Sequence, residues 1–140
     1  MATIELTADT FESTILEPGV SSGIVLVDFW AGWCGPCLAF APVYGAASDD
    51  NPDVVFGKVD TEENRELSGA LDIRSIPTLM IFRDGIGVFS QAGALPRHAL
   101  DDLLGRVRDL DMDDVRARIA QAEAEAPSEP AAESAQTATA

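Results

Sequence analysis

Positive charge is in short supply in this chain. Nine lysines and arginines face 24 aspartates and glutamates over 140 residues, for a net charge of -15, and Lys58 is the one lysine. Such a balance argues against a phosphate backbone or an anionic membrane as partner, since both are held by basic patches. Histidine occurs once, as His98, and cysteine twice. Two cysteines supply half of a tetrahedral zinc site; no second pair exists and His98 lies far along the chain, so no metal is expected. No apolar run approaches the roughly 20 residues that span a bilayer. Residues 1–12 carry no basic segment followed by an apolar one, so the chain is expected to be soluble and cytoplasmic. Internal repeats are missing, as is a G-x-G-x-x-G fingerprint, so a nicotinamide would have to bind elsewhere. The 46% of hydrophobic residues nevertheless suffices for one independent core.

Both cysteines fall within Trp33-Cys34-Gly35-Pro36-Cys37, two residues apart at the start of a predicted helix. As a staple the pair is weak, because closing a loop of about 4 residues stabilises by roughly 2 kcal/mol, against about 3 for a loop of 15. A C-x-x-C beside a strand-helix-strand pattern points instead to a dithiol that cycles with its disulfide. Cys34 follows the strand that ends at Trp30 and opens the helix, where unpaired amides and the positive helix end favour an anion; it is the expected nucleophile. Cys37 begins the inward stripe one turn later and is the expected sheltered, resolving thiol.

The pattern of elements supports that placement. Residues 3–6 suit a short edge strand, and residues 9–16 a helix that stops before Glu17-Pro18-Gly19. Ile24 to Trp30 is apolar almost throughout, as in a strand covered on both faces. A helix over residues 34–48 and a strand over 54–59 complete a right-handed parallel crossover. Residues 63–71 suit a helix capped by Thr61, and residues 78–82 and 88–91 a hairpin turning at Asp84-Gly85. Pro96 to Leu110 has Leu100, Leu103, Leu104 and Val107 on one stripe of a last amphipathic helix. The expected fold is α/β: a central mixed five-stranded sheet flanked by about four helices, occupying residues 1–110. Residues 111–140 form an acidic, Ala-rich extension, with a weak helix over 113–126 and expected disorder from 127 onward.

Two further features stand near the dithiol. Asp28 interrupts the apolar strand, where burial would raise its proton affinity and let it exchange protons near neutral pH; the alternative is a strand-end aspartate that reaches water. Lys58 is on the neighbouring strand and is expected to pair with Asp28 or tune it, unless it snorkels to the surface. In Ile76-Pro77-Thr78 a proline stands at the mouth of a strand, and statistics alone make it trans, since only about 5–6% of X-Pro bonds are cis. His98, Trp30, Phe29, Phe40, Phe56 and Phe82 are expected as helix-cap or core residues.

Taken in order, Val27-Asp28-Phe29-Trp30-Ala31, the Trp33 to Cys37 motif, Ala41-Pro42, Lys58-Val59-Asp60, Ile76-Pro77-Thr78 and Gly93-Ala94-Leu95 resemble the thioredoxin family. The resemblance covers roughly residues 3–110 and implies a thioredoxin fold. It makes Cys34 the attacking thiolate, Cys37 the resolving thiol and Asp28 the buried group that helps deprotonate Cys37 through water. It makes Pro77 cis, with the Ile76 backbone pairing an extended substrate segment. Trp33, Gly35, Pro36, Ile76, Gly93 and Ala94 would form an apolar docking rim, and Pro42 would kink the active-site helix. Leu38 departs from the pattern, since many members carry a basic residue there.

The activity so implied is protein-disulfide reduction in cell redox homeostasis, by a monomer that holds no cofactor beyond its redox-active Cys34-Cys37 pair. Electrons would come from NADPH through a flavin-dependent, thioredoxin reductase-like donor and pass to disulfide-containing client proteins. The alternatives are a thiol-disulfide oxidase or isomerase of exported proteins, and a redox-linked holdase or binding module that uses the acidic tail. Gly35-Pro36 between the cysteines favours the reducing side by resemblance.

Overall fold

The computed structural model describes residues 2–125. The chain separates into two compact units, Met1–Arg108 and Asp109–Ala140. In the first, β1 (Thr3–Glu5), α1 (Phe11–Leu16), β2 (Ile24–Trp30), α2 (Gly35–Asp50), β3 (Val55–Asp60), α3 (Arg65–Ala70), β4 (Thr78–Arg83), β5 (Ile86–Ala92) and α4 (Arg97–Arg108) follow one another. In the second, α5 (Met112–Glu125) has Asp113 and Asp114 in its first turn, where the positive helix end favours them. The disorder expected over 127–140 falls outside the described residues.

The five strands form one sheet in the order β1-β3-β2-β4-β5. The β1–β3 and β2–β3 pairs are parallel, β2–β4 and β4–β5 antiparallel, so the sheet is mixed, as expected. Alternation along β2 sends its side chains to two covered faces. Val25, Val27 and Phe29 join Leu6, Phe11, Ile15 and Val59 in a cluster on one face, where Phe11 meets Phe29 and Phe82 with ring centroids 6.4 and 5.9 Å apart. Leu26 and Asp28 point the other way, in register with Phe56 and Lys58 of β3 and with Ile81 and Leu79 of β4. Against β3 pack Phe40 and Tyr44 of α2, with Tyr44 and Phe56 in an edge-to-face contact of 5.2 Å. Leu100, Leu104 and Val107 form the buried stripe of α4.

Local chemistry moves some boundaries. Asp84 and Gly85 take φ of 55° and 82°, the left-handed pair that a two-residue hairpin requires. The bulge opposite Ile81 and Phe82 lets β5 begin at Ile86, two residues before the expected start, because Gly87 hides the strand from a propensity reading. Thr61 does not cap α3; its hydroxyl donates to the Trp30 carbonyl at 3.1 Å. Asn64 is the cap residue, but its side chain ties Ala8 N to the Asp60 carbonyl, each at 3.0 Å. His98 is exposed in the first turn of α4 and belongs to no core. Pro42 lies inside α2, which runs on through it to Asp50.

Candidate active site

The parallel crossover from β2 through α2 to β3 sets the site at the carboxyl end of the sheet, where α2 presents its N-terminus. Cys34 is the N-cap residue of α2, with extended backbone (φ -92°, ψ 111°), and Pro36 follows in the first turn, where its missing N–H is no loss. The Cys37 backbone N–H donates to Cys34 Sγ at 3.2 Å. That bond and the helix end both favour negative charge on the Cys34 sulfur. Cys34 and Cys37 are joined as a disulfide, their Cα atoms 5.2 Å apart.

Burial hardly distinguishes the two sulfurs in this oxidised state, with Cys34 4% and Cys37 2% exposed. The expectation that Cys37 is the more sheltered therefore has little contrast here, because the bridge tucks both sulfurs against the protein. Their surroundings differ more. Cys34 is flanked by Trp33, 70% exposed, and by exposed Gly35. Cys37 shares the buried stripe of α2 with Phe40 and Tyr44.

The Ile76–Pro77 bond is cis, which corrects the statistical expectation of trans and agrees with the family resemblance. The Ile76 carbonyl oxygen lies 3.8 Å from Cys34 Sγ. Gly93, at φ +104°, donates its N–H to the Pro77 carbonyl at 2.7 Å, which brings exposed Gly93 and Ala94 beside the proline loop. Trp33, Gly35 and Pro36 thus adjoin the cysteines in the chain, the Ile76 carbonyl approaches Cys34, and Gly93 is tied to the same loop through Pro77, with Ala94 next to it. Leu38, 53% exposed, extends the apolar surface of the first helical turn.

Sequence reasoning missed the second wall of this surface. A groove of about 320 Å³ runs between Trp33, Thr61, Ile73, Arg74, Ser75 and Ile76. The Trp33 indole N–H donates to the Glu62 carboxylate at 3.4 Å. Arg74 and Ile73 lie just before the Ile76-Pro77 motif in the chain, and that adjacency was the available signal. Nothing local marks Thr61 or Glu62, which arrive on the turn after β3.

Asp28 is fully buried, and neither carboxylate oxygen accepts a hydrogen bond among the described residues. Burial pushes its proton affinity up from 3.8 to about 7, against the pull of the Lys58 charge. A strand-end aspartate reaching water is thereby ruled out. Lys58 is in register with Asp28 on β3, but its ammonium sits 4.6 Å above the centre of the Trp30 ring. Lys58 thus acts on Asp28 at range, and Trp30, expected as plain core, holds a cation as well. The Tyr44 phenol is held well above its ordinary range by burial and then by Asp28, and it donates to the Gly57 carbonyl at 2.8 Å.

The described residues include no cluster of three or more His, Cys, Asp or Glu able to hold a metal, and no described helix is long and apolar enough to cross a membrane. The assembly can form, exchange and break one disulfide. The thioredoxin family model matches residues 2–106. A Streptomyces coelicolor protein provisionally named thioredoxin 2 is 53% identical over 125 residues, 89% of this chain and 90% of that one. The Bacillus subtilis thioredoxin is 37% identical over 107 residues, 76% of this chain and 98% of its own length. The Plasmodium falciparum thioredoxin structure superposes with a TM-score of 0.65 at 35% identity, covering 74% of this chain and 97% of that one. Matched in sequence across most of its length, folded alike and carrying a paired C-x-x-C at the head of α2, the chain belongs to the thioredoxin family and is a protein-disulfide oxidoreductase.

Proposed function

We propose that this thioredoxin-like protein acts as a cytoplasmic protein-disulfide reductase, and that Cys34 is its nucleophile and Cys37 its resolving thiol. The observation that carries the reading is the bridged pair at the start of α2, with the Cys37 N–H directed onto Cys34 Sγ at 3.2 Å. In the dithiol state, the Cys34 thiolate attacks one sulfur of a client disulfide. A Cys34–client bond forms, the client S–S bond breaks, and one client thiolate leaves. The Cys37 thiol then gives its proton to the Asp28 carboxylate through water, and its thiolate attacks Cys34 Sγ. The Cys34–Cys37 bond forms, the second client thiolate leaves, and two electrons have passed to the client. Asp28 suits the task because a group titrating near 7 can both take and release a proton at neutral pH.

The client segment lies extended along the Ile76 backbone, as an added strand would, with its side chains over Trp33, Gly35, Pro36, Gly93 and Ala94. The dithiol is restored by a flavin-dependent reductase that draws on NADPH and binds the nicotinamide itself. The chain works as a monomer, and residues 1–110 act as the catalytic domain beside the acidic extension. Replacing Cys37 by Ser leaves the first attack intact and removes the second, so the variant accumulates mixed disulfides through Cys34. Mass spectrometry of the trapped species checks this; if Cys37→Ser turns over freely with no adduct, Cys37 does not resolve the intermediate.

The competing oxidase or isomerase reading is separated by the equilibrium potential of the couple in defined thiol-disulfide buffers. About -270 mV is a reference value for thioredoxin and does not follow from this geometry, whereas about -180 to -120 mV marks isomerases and oxidases. A potential near the thioredoxin value is expected here, and one in the upper range rejects the reductase assignment.

A further inference from the structure

The cross-strand register carries one more consequence. Glu5 of β1 pairs with Lys58 of β3, and Lys58 pairs with Asp28 of β2. Residues in register on neighbouring strands share a face and stand about 4.8 Å apart. An acid, a base and an acid therefore run in a row from the open edge of the sheet to its centre. Exposure falls along the row: Glu5 is exposed, Lys58 half-buried and Asp28 fully buried. Trp30 lies two residues beyond Asp28 on the same face, and its ring lies beneath the Lys58 ammonium at 4.6 Å. A cleft of about 230 Å³ lined by Thr3, Ile4, Glu5, Trp30 and Lys58 opens the outer part of this row to solvent.

We propose that Glu5 and Trp30 are positioning residues which control how much of the Lys58 charge reaches Asp28, and so regulate proton transfer at the dithiol. The inference rests on the reading of Asp28 as the proton acceptor. Glu5 acts from the wet edge: it draws the ammonium outward and its own negative charge opposes a second one at Asp28. Trp30 acts from the inside, because its face holds the ammonium over the sheet instead of releasing it to the cleft. A freed lysine head moves to water and to Glu5, since the dry surroundings of Asp28 cost it solvation. The other ionisable groups near the row are Asp60 at the end of β3 and Tyr44 of α2; Cys37, held in the disulfide, does not titrate in this state. Asp60 is already engaged by the Glu62 N–H at 2.9 Å, and the Tyr44 hydroxyl by the Gly57 carbonyl.

The test follows the Asp28 carboxyl carbon by NMR between pH 4 and 10 in the full-length oxidised protein. Glu5→Gln, at an exposed position, lowers the midpoint by about half a pH unit. Trp30→Leu raises it, and Trp30→Phe, which retains an aromatic face, restores most of the change. Lys58→Met raises it further and reduces the effect of Glu5→Gln made in the same chain. If Lys58→Met moves the midpoint while Glu5→Gln and Trp30→Leu both leave it in place, the regulating row is rejected. If the carboxyl carbon shows no midpoint near neutrality in the unsubstituted protein, the reading of Asp28 itself is what fails.

Discussion

Replacing Cys34 by Ser is expected to lower reduction of a disulfide client by at least about a thousand-fold, because a hydroxyl in place of the thiolate leaves no competent nucleophile. The loss is chemical and leaves the fold unchanged. Cys34 is the N-cap residue of a 16-residue helix, serine is a favoured N-cap residue, and bridging so short a loop contributes only roughly 2 kcal/mol. Thiol release from a client protein, measured beside the thermal unfolding of the same sample, separates the two effects. Turnover within tenfold of the unsubstituted protein would sink the assignment of Cys34. The contrast with Cys37→Ser carries further information. Both variants lack a disulfide, yet only Cys37→Ser keeps a sulfur at the helix end, so only that variant captures clients.

Asp28→Asn is expected to make the protein more stable at pH 8, by about 2 kcal/mol, and less stable by a similar amount below about pH 4, where no carboxylate penalty is left to relieve. A buried carboxyl that titrates at about 7, against 3.8 when unfolded, penalises the folded state once the unfolded chain has lost its proton. Below 3.8 both states hold the proton and there is no penalty. From there to about 7 the unfolded state binds fewer protons than the folded one, so stability falls with rising pH, and above 7 the cost levels off at roughly 4 kcal/mol. The amide relieves that cost but has its own unmet hydrogen-bonding groups to bury, at about 1–3 kcal/mol, which sets the smaller net gain. Urea unfolding at pH 4, 6 and 8 checks the sign and the window. A difference that stays constant across the three values would mean that Asp28 does not change protonation between them. The same substitution slows resolution of the mixed disulfide near neutral pH by about a hundred-fold, the lower range for a lost proton acceptor. Stability would thus rise as function falls, as expected of a charge retained for its chemistry.

The surface around the cysteines illustrates a different dependence. Gly93 reaches Pro77 through one backbone bond of 2.7 Å, and Trp33 reaches Glu62 across 29 residues of chain. The first exists because the antiparallel β4–β5 pair sets the end of β5 beside the start of β4, the second because the parallel strands β2 and β3 bring their following loops to the same end of the sheet.

What the amino-acid sequence determined alone was whatever depends on neighbours within one helix or strand. The two-residue spacing of Cys34 and Cys37, the apolar run broken by Asp28, the left-handed turn at Asp84-Gly85 and the stripe of Leu100, Leu104 and Val107 are local patterns, and each places its element to within a few residues. The family's ordered motifs added roles that no local pattern holds, the cis bond before Pro77 among them. Tertiary structure decided the rest, because it turns on which loops and strands become neighbours. The Asn64 side chain serves Ala8 and Asp60 and leaves its own helix cap unfilled, since a distant segment competes for it. Thr61, Ile73 and Arg74 become a groove wall only when the turn after β3 comes near the loop that precedes β4. Lys58 is drawn over Trp30 and not onto Asp28, a choice between two aromatic and acidic neighbours on the adjoining strand that one-dimensional spacing cannot express. Local sequence sets the chemistry each residue can perform; register across the sheet sets which residues perform it together.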